Sequence, residues 1–160
     1  MQENNLNKNK WTDGDFDLML WHDCKVYAVA FDSVKFELLF DIDFIVEWVK
    51  PKNDESFFKF WVVPATLTFK HVYEISINVD SVDLIIQDIS RGNPTEPRIA
   101  NYNSALKEYQ WKIETTNGEI TFKSGGYEQF ARKRPVLLDS QAIGLRERNG
   151  LSFDQATYQS

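Results

Sequence analysis

The sequence predicts an all-β protein, an antiparallel sandwich or barrel of about eight strands with little helix. Apolar and polar residues alternate along much of the chain, a 3.6-residue period is nearly lacking, and short turn sequences separate the segments. Aromatic residues make up 14% of the chain, and on inward strand faces they would fill a wide core. One face of each predicted strand is polar, which argues against a central sheet covered on both sides.

The first half of the chain has the clearest strand pattern. From Phe36 to Val49, seven apolar residues take alternate positions, which is the period of a strand with one buried face. Pro64 has no backbone N–H, so its strand is expected to be an edge strand there or to carry a bulge. The strands predicted in this half and just beyond it span residues 25–31, 36–49, 57–69, 72–79 and 82–89.

The second half predicts a hairpin between two less regular segments. Asn117-Gly118 suits a type I′ turn between strands at 111–116 and 119–123, and 127–135 is a candidate last strand. Residues 91–108 break the pattern and predict a long loop, which could be ordered and functional, a short helix around 104–109, or a floppy insertion. We expect residues 1–15 to be a disordered tail and 16–160 to be one domain, ending in a packed but irregular segment from 136.

The charge balance excludes some classes of protein. The net charge is −6, and residues 1–80 carry all of it, with 8 Lys and no Arg against 14 acids. An acidic chain is repelled by phosphates, so we expect no nucleic-acid partner. The basic run Arg132-Lys133-Arg134 could touch phosphate, but beside Pro135 it better fits protection of a sheet edge. Gly125-Gly126 has no helix after it to support a phosphate cradle.

Four carboxylates mark the candidate site. Alternation places them together on the polar face of the 36–49 strand, where neighbouring acids two residues apart lie about 6.5–7 Å from each other. A solvated surface and a stripe that binds a basic partner both fit this face. Catalysis would need a desolvated carboxyl group, and a metal would need closer ligands. The candidate partner-binding residues are Glu37, Asp41, Asp43 and Glu47.

Trp21-His22-Asp23-Cys24 is the place to look for nucleophilic catalysis. A reactive cysteine needs a base, and on a strand Asp23 would point away from both His22 and Cys24. His71 could act as the base only if the fold brings it close. Cys24 is better interpreted as a small buried apolar residue. With one Cys and two His, the chain predicts no disulfide, no catalytic motif, no metal and no cofactor.

The chain shows no sign of export or membrane insertion. Its polar first ten residues lack the apolar stretch of a secretory signal, and the four acids of the 36–49 segment exclude a membrane span there. Together with the lone cysteine, these features predict a cytoplasmic protein without a membrane partner.

Four short stretches of the chain carry a resemblance to known proteins, and none of them is a catalytic signature. They are Trp21-His22-Asp23, Asp41-Ile42-Asp43, Val63-Pro64-Ala65-Thr66-Leu67 and 117–122. Together they cover most of residues 20–135, and they resemble small uncharacterised bacterial proteins. Some acidic, cysteine-poor all-β proteins of this kind look like immunity proteins of bacterial toxin systems, so the resemblance implies an immunity-like role and no active residues.

Three hypotheses for function follow. The first is a non-enzymatic, cytoplasmic protein-binding domain that presents its acidic strand face to a basic protein, in a form that could be immunity-like. The second is a small-molecule-binding barrel with Trp48, Trp61 and Trp111 lining a cavity. The third is an enzyme that uses His22, Cys24 or the carboxylates, for which the sequence names no reaction class. None of them indicates an oligomeric state.

Overall fold

The computed structural model describes residues 5–54, 57–97 and 107–159. These residues form ten strands and two short 3-10 helices, Asn5–Asn7 and Asp13–Leu18. The all-β prediction is therefore confirmed, with slightly more strands than expected. The strands are β1 Lys10–Thr12, β2 Lys25–Asp32, β3 Glu37–Val49, β4 Lys59–Lys70, β5 Tyr73–Val79, β6 Leu84–Arg91, β7 Tyr109–Thr115, β8 Gly118–Ser124, β9 Gly126–Ala131 and β10 Val136–Leu138.

The strands make one antiparallel sheet that is not closed. Its order is β1-β9-β4-β3-β2-β6-β7-β8-β5, and β10 pairs with β4 outside that path. The link between β2 and β6 consists of two residue pairs, Lys25 with Ile85 and Val26 with Leu84. The sheet therefore folds over into two layers, β1 to β4 with β9 and β10 facing β5 to β8, which is the sandwich alternative of the predicted fold class.

Aromatic side chains fill the space between the layers. Phe69 of β4 packs edge-to-face on Trp111 of β7 at 5.0 Å and on Phe122 of β8 at 4.7 Å between ring centroids. Phe40 of β3 meets the same Phe69 ring at 5.9 Å. All four rings are buried. Because their strands come from both layers, this aromatic cluster holds the sandwich together.

The N-terminal segment differs from the predicted disordered tail. Within residues 5–15, β1 pairs with β9 through Trp11 and Gln129, and the Trp11 side chain is buried. Burial of the Trp11 side chain and pairing with β9 together hold this three-residue strand at the sheet edge. Of the predicted loop at 91–108, residues 98–106 lie outside the described residues, while Thr95 forms an isolated antiparallel bridge with Glu108.

The structure corrects the turn prediction. The 109–124 hairpin forms, but Thr115 pairs with Gly118, so its loop is Thr116-Asn117 instead of a type I′ Asn-Gly turn.

The edge prediction for Pro64 holds on one side of its strand. Pro64 pairs with Asp43 of β3. On the other side, the neighbour of β4 changes from β10 at 60–62 to β9 at 65–70, and neither strand pairs with Pro64. The strand is therefore locally an edge at the proline, where its missing N–H costs no ladder hydrogen bond.

Candidate functional site

The four predicted acids do not share one exposed face. Glu37, Asp41 and Asp43 are buried, and only Glu47 is exposed. The prediction of an open acidic surface on β3 is therefore wrong for three of the four residues. The physical reason is that both faces of β3 are covered along its first nine residues, one by the sandwich core and the other by the C-terminal segment 139–159.

A β-bulge separates Glu47 from the other acids. Phe44 pairs with Val63 of β4 and Ile45 with Val62, but the next pair is Glu47 with Trp61. The extra residue in β3 reverses the alternation, so Glu47 joins Phe44 on the inner face of the sheet. Asp41 and Asp43 stay on the outer face. The sequence prediction assumed a strict period of two along the whole strand, and that assumption does not reveal a bulge.

Arg148 from the C-terminal segment neutralises the two buried aspartates. Its Nη1 and Nη2 donate to the two Asp41 carboxylate oxygens at 2.8 and 2.7 Å, and its Nε donates to Asp43 Oδ1 at 3.0 Å. Arg132 Nη2 also donates to Asp41 Oδ1, at 2.7 Å. The guanidinium of Arg148 is itself fully buried and lies 4.6 Å from the centre of the Tyr27 ring. A buried charge is tolerated only when it is paired and hydrogen-bonded in this way.

Backbone groups of the C-terminal segment complete the same network. The N–H of Ile143 donates to Asp43 Oδ2 at 2.7 Å, and the N–H of Ser152 donates to Asp41 Oδ2 at 2.9 Å. Further along, the carbonyl of Asp154 accepts a hydrogen bond from the Thr66 hydroxyl of β4. The segment has no regular secondary structure after β10, so these contacts with β3 and β4 fix its path.

Burial and hydrogen bonding act in opposite directions on the two aspartates. Burial tends to raise the pKa of Asp41, but hydrogen bonds from Arg148, Ser152 N–H and Arg132 outweigh it, so the pKa is lowered. Burial raises the pKa of Asp43, and the charge of Arg148 and the N–H of Ile143 only partly offset this. Both oxygens of each carboxylate are engaged, so the arrangement holds the C-terminal segment in place and offers no open site for a basic partner.

The basic run 132–134 belongs to the same C-terminal anchoring. Arg132 binds Asp41, Lys133 Nζ donates to the carbonyl of Arg148, and Arg134 donates to the carbonyl of Gln159. The sequence favours protection of a sheet edge for this run, whereas in the structure its side chains contact Asp41 and the C-terminal segment. Nothing in the sequence singled out Arg148, because the C-terminal segment also contains Arg146 and no local pattern distinguishes the two.

The Trp21-His22-Asp23-Cys24 stretch does not form an activated thiol. Cys24 is fully buried, and burial raises the pKa of its thiol to about 12. The sulfur accepts a hydrogen bond from the N–H of Ile45 at 3.4 Å. His22 Nδ1 lies 3.2 Å from Asp23 Oδ2. The side-chain amide of Gln141 donates a hydrogen bond to the same Asp23 oxygen. A thiol that stays protonated at physiological pH is no nucleophile, in agreement with the interpretation of Cys24 as an apolar core residue.

An open cleft lies beside Glu47, at one end of the sandwich. Its volume is about 660 Å³. Trp11 and Phe44 meet edge-to-face within its lining, with 5.1 Å between ring centroids. The remaining wall comes from the end of β3, the Asp13–Leu18 helix and the chain after it. The lining residues are Lys8, Trp11, Asp15, Leu18, Met19, Leu20, His22, Phe44, Ile45, Val46, Glu47 and Trp48.

The charges in this cleft are unequally neutralised. Lys8 Nζ binds Asp15 Oδ1 at 2.8 Å, and this contact, with the N–H of Thr12, lowers the pKa of Asp15. Within residues 5–54, 57–97 and 107–159, no ion pair or side-chain hydrogen bond engages Glu47. The charges of Lys8 and Asp15 cancel each other, so the carboxylate of Glu47 is left as the uncompensated charge of the cleft.

Three apolar side chains of the cleft lining are themselves exposed to solvent. Leu18 is 80% exposed, Leu20 71% and Trp48 37%. Of the three tryptophans that were predicted to line a cavity, Trp48 lines this cleft, whereas Trp111 is buried in the core. Trp61 pairs with Glu47 across the strands and is not part of the lining.

Two general features of the described residues bear on the class of site. No group of three or more His, Cys, Asp and Glu side chains among them could hold a metal ion. In the same part of the chain, no helix is long and apolar enough to cross a membrane.

The chain matches no protein-family model, no curated protein and no solved structure.

Proposed function

We propose that this protein is a non-enzymatic protein-binding domain whose binding site is the cleft beside Glu47. The observation that carries the proposal is the combination of an unpaired, exposed carboxylate with an aromatic floor and an exposed apolar rim. Such a surface fits a partner segment that is both basic and apolar. The proposed site therefore replaces the predicted acidic face of β3. Of the four predicted acids, it contains Glu47.

The apolar rim favours a protein over a small ligand. A small-molecule site encloses most of its ligand, whereas here Leu18 and Leu20 of the cleft lining are largely exposed to solvent. Contiguous exposed apolar side chains beside a cleft are typical of protein interaction sites. A protein segment lying across the cleft would cover both leucines and bury the Trp48 ring at the same time.

The overall charge supports a basic partner. All of the net charge of −6 comes from residues 1–80, the half that supplies every residue of the cleft. Complementary charge speeds association and weakens as salt screens it. A cytoplasmic immunity-like protein that binds a basic toxin is the form of this function that the sequence resemblance favours.

Binding of a small molecule is the second candidate. The cleft volume of about 660 Å³ lies in the range of ligand pockets, and the half-exposed Trp48 ring of its lining could contact a flat apolar ligand. In that case the exposed leucines would be dispensable for binding, because the ligand would occupy the floor alone.

The test is affinity capture with the full chain, followed by calorimetry with the purified captured protein. We expect a basic protein whose affinity falls when salt is raised from 50 to 300 mM. Glu47→Gln and Leu20→Ser should each weaken it by about tenfold, as expected for a charge-assisted contact or a buried leucine. The matched controls are Asp88→Asn, an exposed acid on β6, and Val82→Ser, which is fully exposed.

The outcomes separate the two candidates. Equal losses in the cleft variants and in their controls would contradict the proposed site. The second candidate would replace the first under two conditions. A small ligand that quenches tryptophan fluorescence would have to bind the wild-type chain and Leu20→Ser equally well, and it would have to bind Glu47→Gln no longer.

A further inference from the structure

The fold twice places an arginine of its own against at least one carboxylate and at least one aromatic ring. At the first place, the guanidinium of Arg91 lies 4.1 Å from the ring centres of both Phe16 and Tyr109. Its Nη1 binds Asp13 Oδ1 at 2.7 Å. The flat cation is thus stacked on its faces and hydrogen-bonded at its edge, as its planar shape allows.

The second place is the Arg148 network. Its guanidinium lies 4.6 Å from the Tyr27 ring centre and is hydrogen-bonded at its edge to Asp41 and Asp43. The two places are on different elements, and the surrounding residues are unrelated in sequence. What they share is the chemistry of the arginine environment, an acid at the edge of the guanidinium and a ring on its face.

The cleft contains the same groups without the arginine. The β3 bulge places Glu47 on the same side of the sheet as Phe44, and Phe44 packs against Trp11. Glu47 is exposed, and none of the described residues supplies it with a cation. We infer that the cleft recognises an arginine side chain of the partner, with its guanidinium bound to Glu47 and its face on the aromatic lining.

Arginine fits this cleft better than lysine does. A guanidinium can donate two parallel hydrogen bonds to one carboxylate while it stacks on a ring, and it loses less hydration than an ammonium group when it enters an apolar site. The exposed Leu18 and Leu20 would contact apolar residues next to the arginine in the partner. This inference rests on the proposed function, since it names the side chain that the cleft of a protein-binding domain would accept.

The experiment is an NMR titration of the ¹⁵N-labelled full chain with three capped tripeptides. Each has leucine at both ends, and the central residue is arginine, lysine or citrulline, the uncharged isostere of arginine. We expect the arginine peptide to shift the indole signals of Trp11 and Trp48 and to bind about tenfold more tightly than the lysine peptide. The citrulline peptide should bind still more weakly, because it lacks the charge.

Variants locate the effect. Glu47→Gln should reduce binding of the arginine peptide to the level of citrulline, and Asp88→Asn should leave it unchanged. Equal binding of all three peptides at the cleft would overturn the arginine inference and leave the proposed protein-binding function intact. Shifts that do not include Trp11, or no shifts at all, would also overturn it, while the capture experiment tests the function separately.

Discussion

Replacing Arg148 by methionine is expected to destabilise the fold strongly. The substitution keeps a long side chain but removes the hydrogen bonds to Asp41 and Asp43. Asp41 would still be paired with Arg132, whereas Asp43 would be left buried without a cation. Removing one partner of a buried ion pair costs about 3–5 kcal/mol. That is a large part of the total stability of about 5–15 kcal/mol of an ordinary domain.

The assay is urea unfolding followed by tryptophan fluorescence and circular dichroism. The control is Arg146→Met, the same change two residues earlier at an exposed position, where we expect less than about 0.5 kcal/mol. The double variant Asp43→Asn with Arg148→Met should be more stable than Arg148→Met alone, because it no longer buries an unpaired charge.

The loss should also depend on pH. Without Arg148, burial would raise the pKa of Asp43 further above its value in the unfolded chain. For an acid with a raised pKa, folding is favoured below that pKa, where the folded form takes up a proton, and stability falls as pH rises through it. The variant should therefore lose more stability at pH 8 than at pH 5. Equal losses for Arg148→Met and Arg146→Met, independent of pH, would refute this account of the network.

Two further predictions concern single residues. Burial raises the pKa of the Cys24 thiol to about 12. In the native protein at pH 8, this thiol should therefore react with a disulfide reagent only as fast as the protein unfolds, whereas in urea it should react completely. Rapid labelling of the native protein would contradict the burial of Cys24. Gly118 has φ of +137°, and an added Cβ would lie 2.0 Å from the carbonyl oxygen of Asn78. Gly118→Ala should therefore lower the unfolding free energy by about 1–3 kcal/mol, whereas Gly92→Ala, with no atom nearer than 3.8 Å, should have little effect; similar midpoints for the two would argue against a clash.

The strands could be predicted because their signal is local. Alternation from Phe36 to Val49 gave β3 to within one residue, and the predicted strand at 25–31 is β2, Lys25–Asp32. The sequence missed β1 and β10, each of three residues. Elements this short carry no periodicity of their own and form because β9 and β4 offer an edge to pair with.

The candidate site was only partly predictable. Glu47 was identified with the right exposure, but Lys8, Trp11 and Asp15 of the same cleft come from the segment that was predicted to be a disordered tail. Asp41 and Asp43 were identified as a pair and assigned to the wrong environment. Their partner Arg148 is 105 and 107 residues away in sequence, and no local pattern connects groups at that distance.

By itself, the sequence determined the fold class, the number of long strands and the acidic balance, since these depend on residue type and on a period of two along the chain. Only the tertiary structure decided which acids meet water. An extra residue in β3 turned Glu47 to the other face, and the C-terminal segment brought Arg148 over Asp41 and Asp43. Alternation gives the side of a strand on which a carboxylate lies, but what covers that side depends on segments distant in sequence.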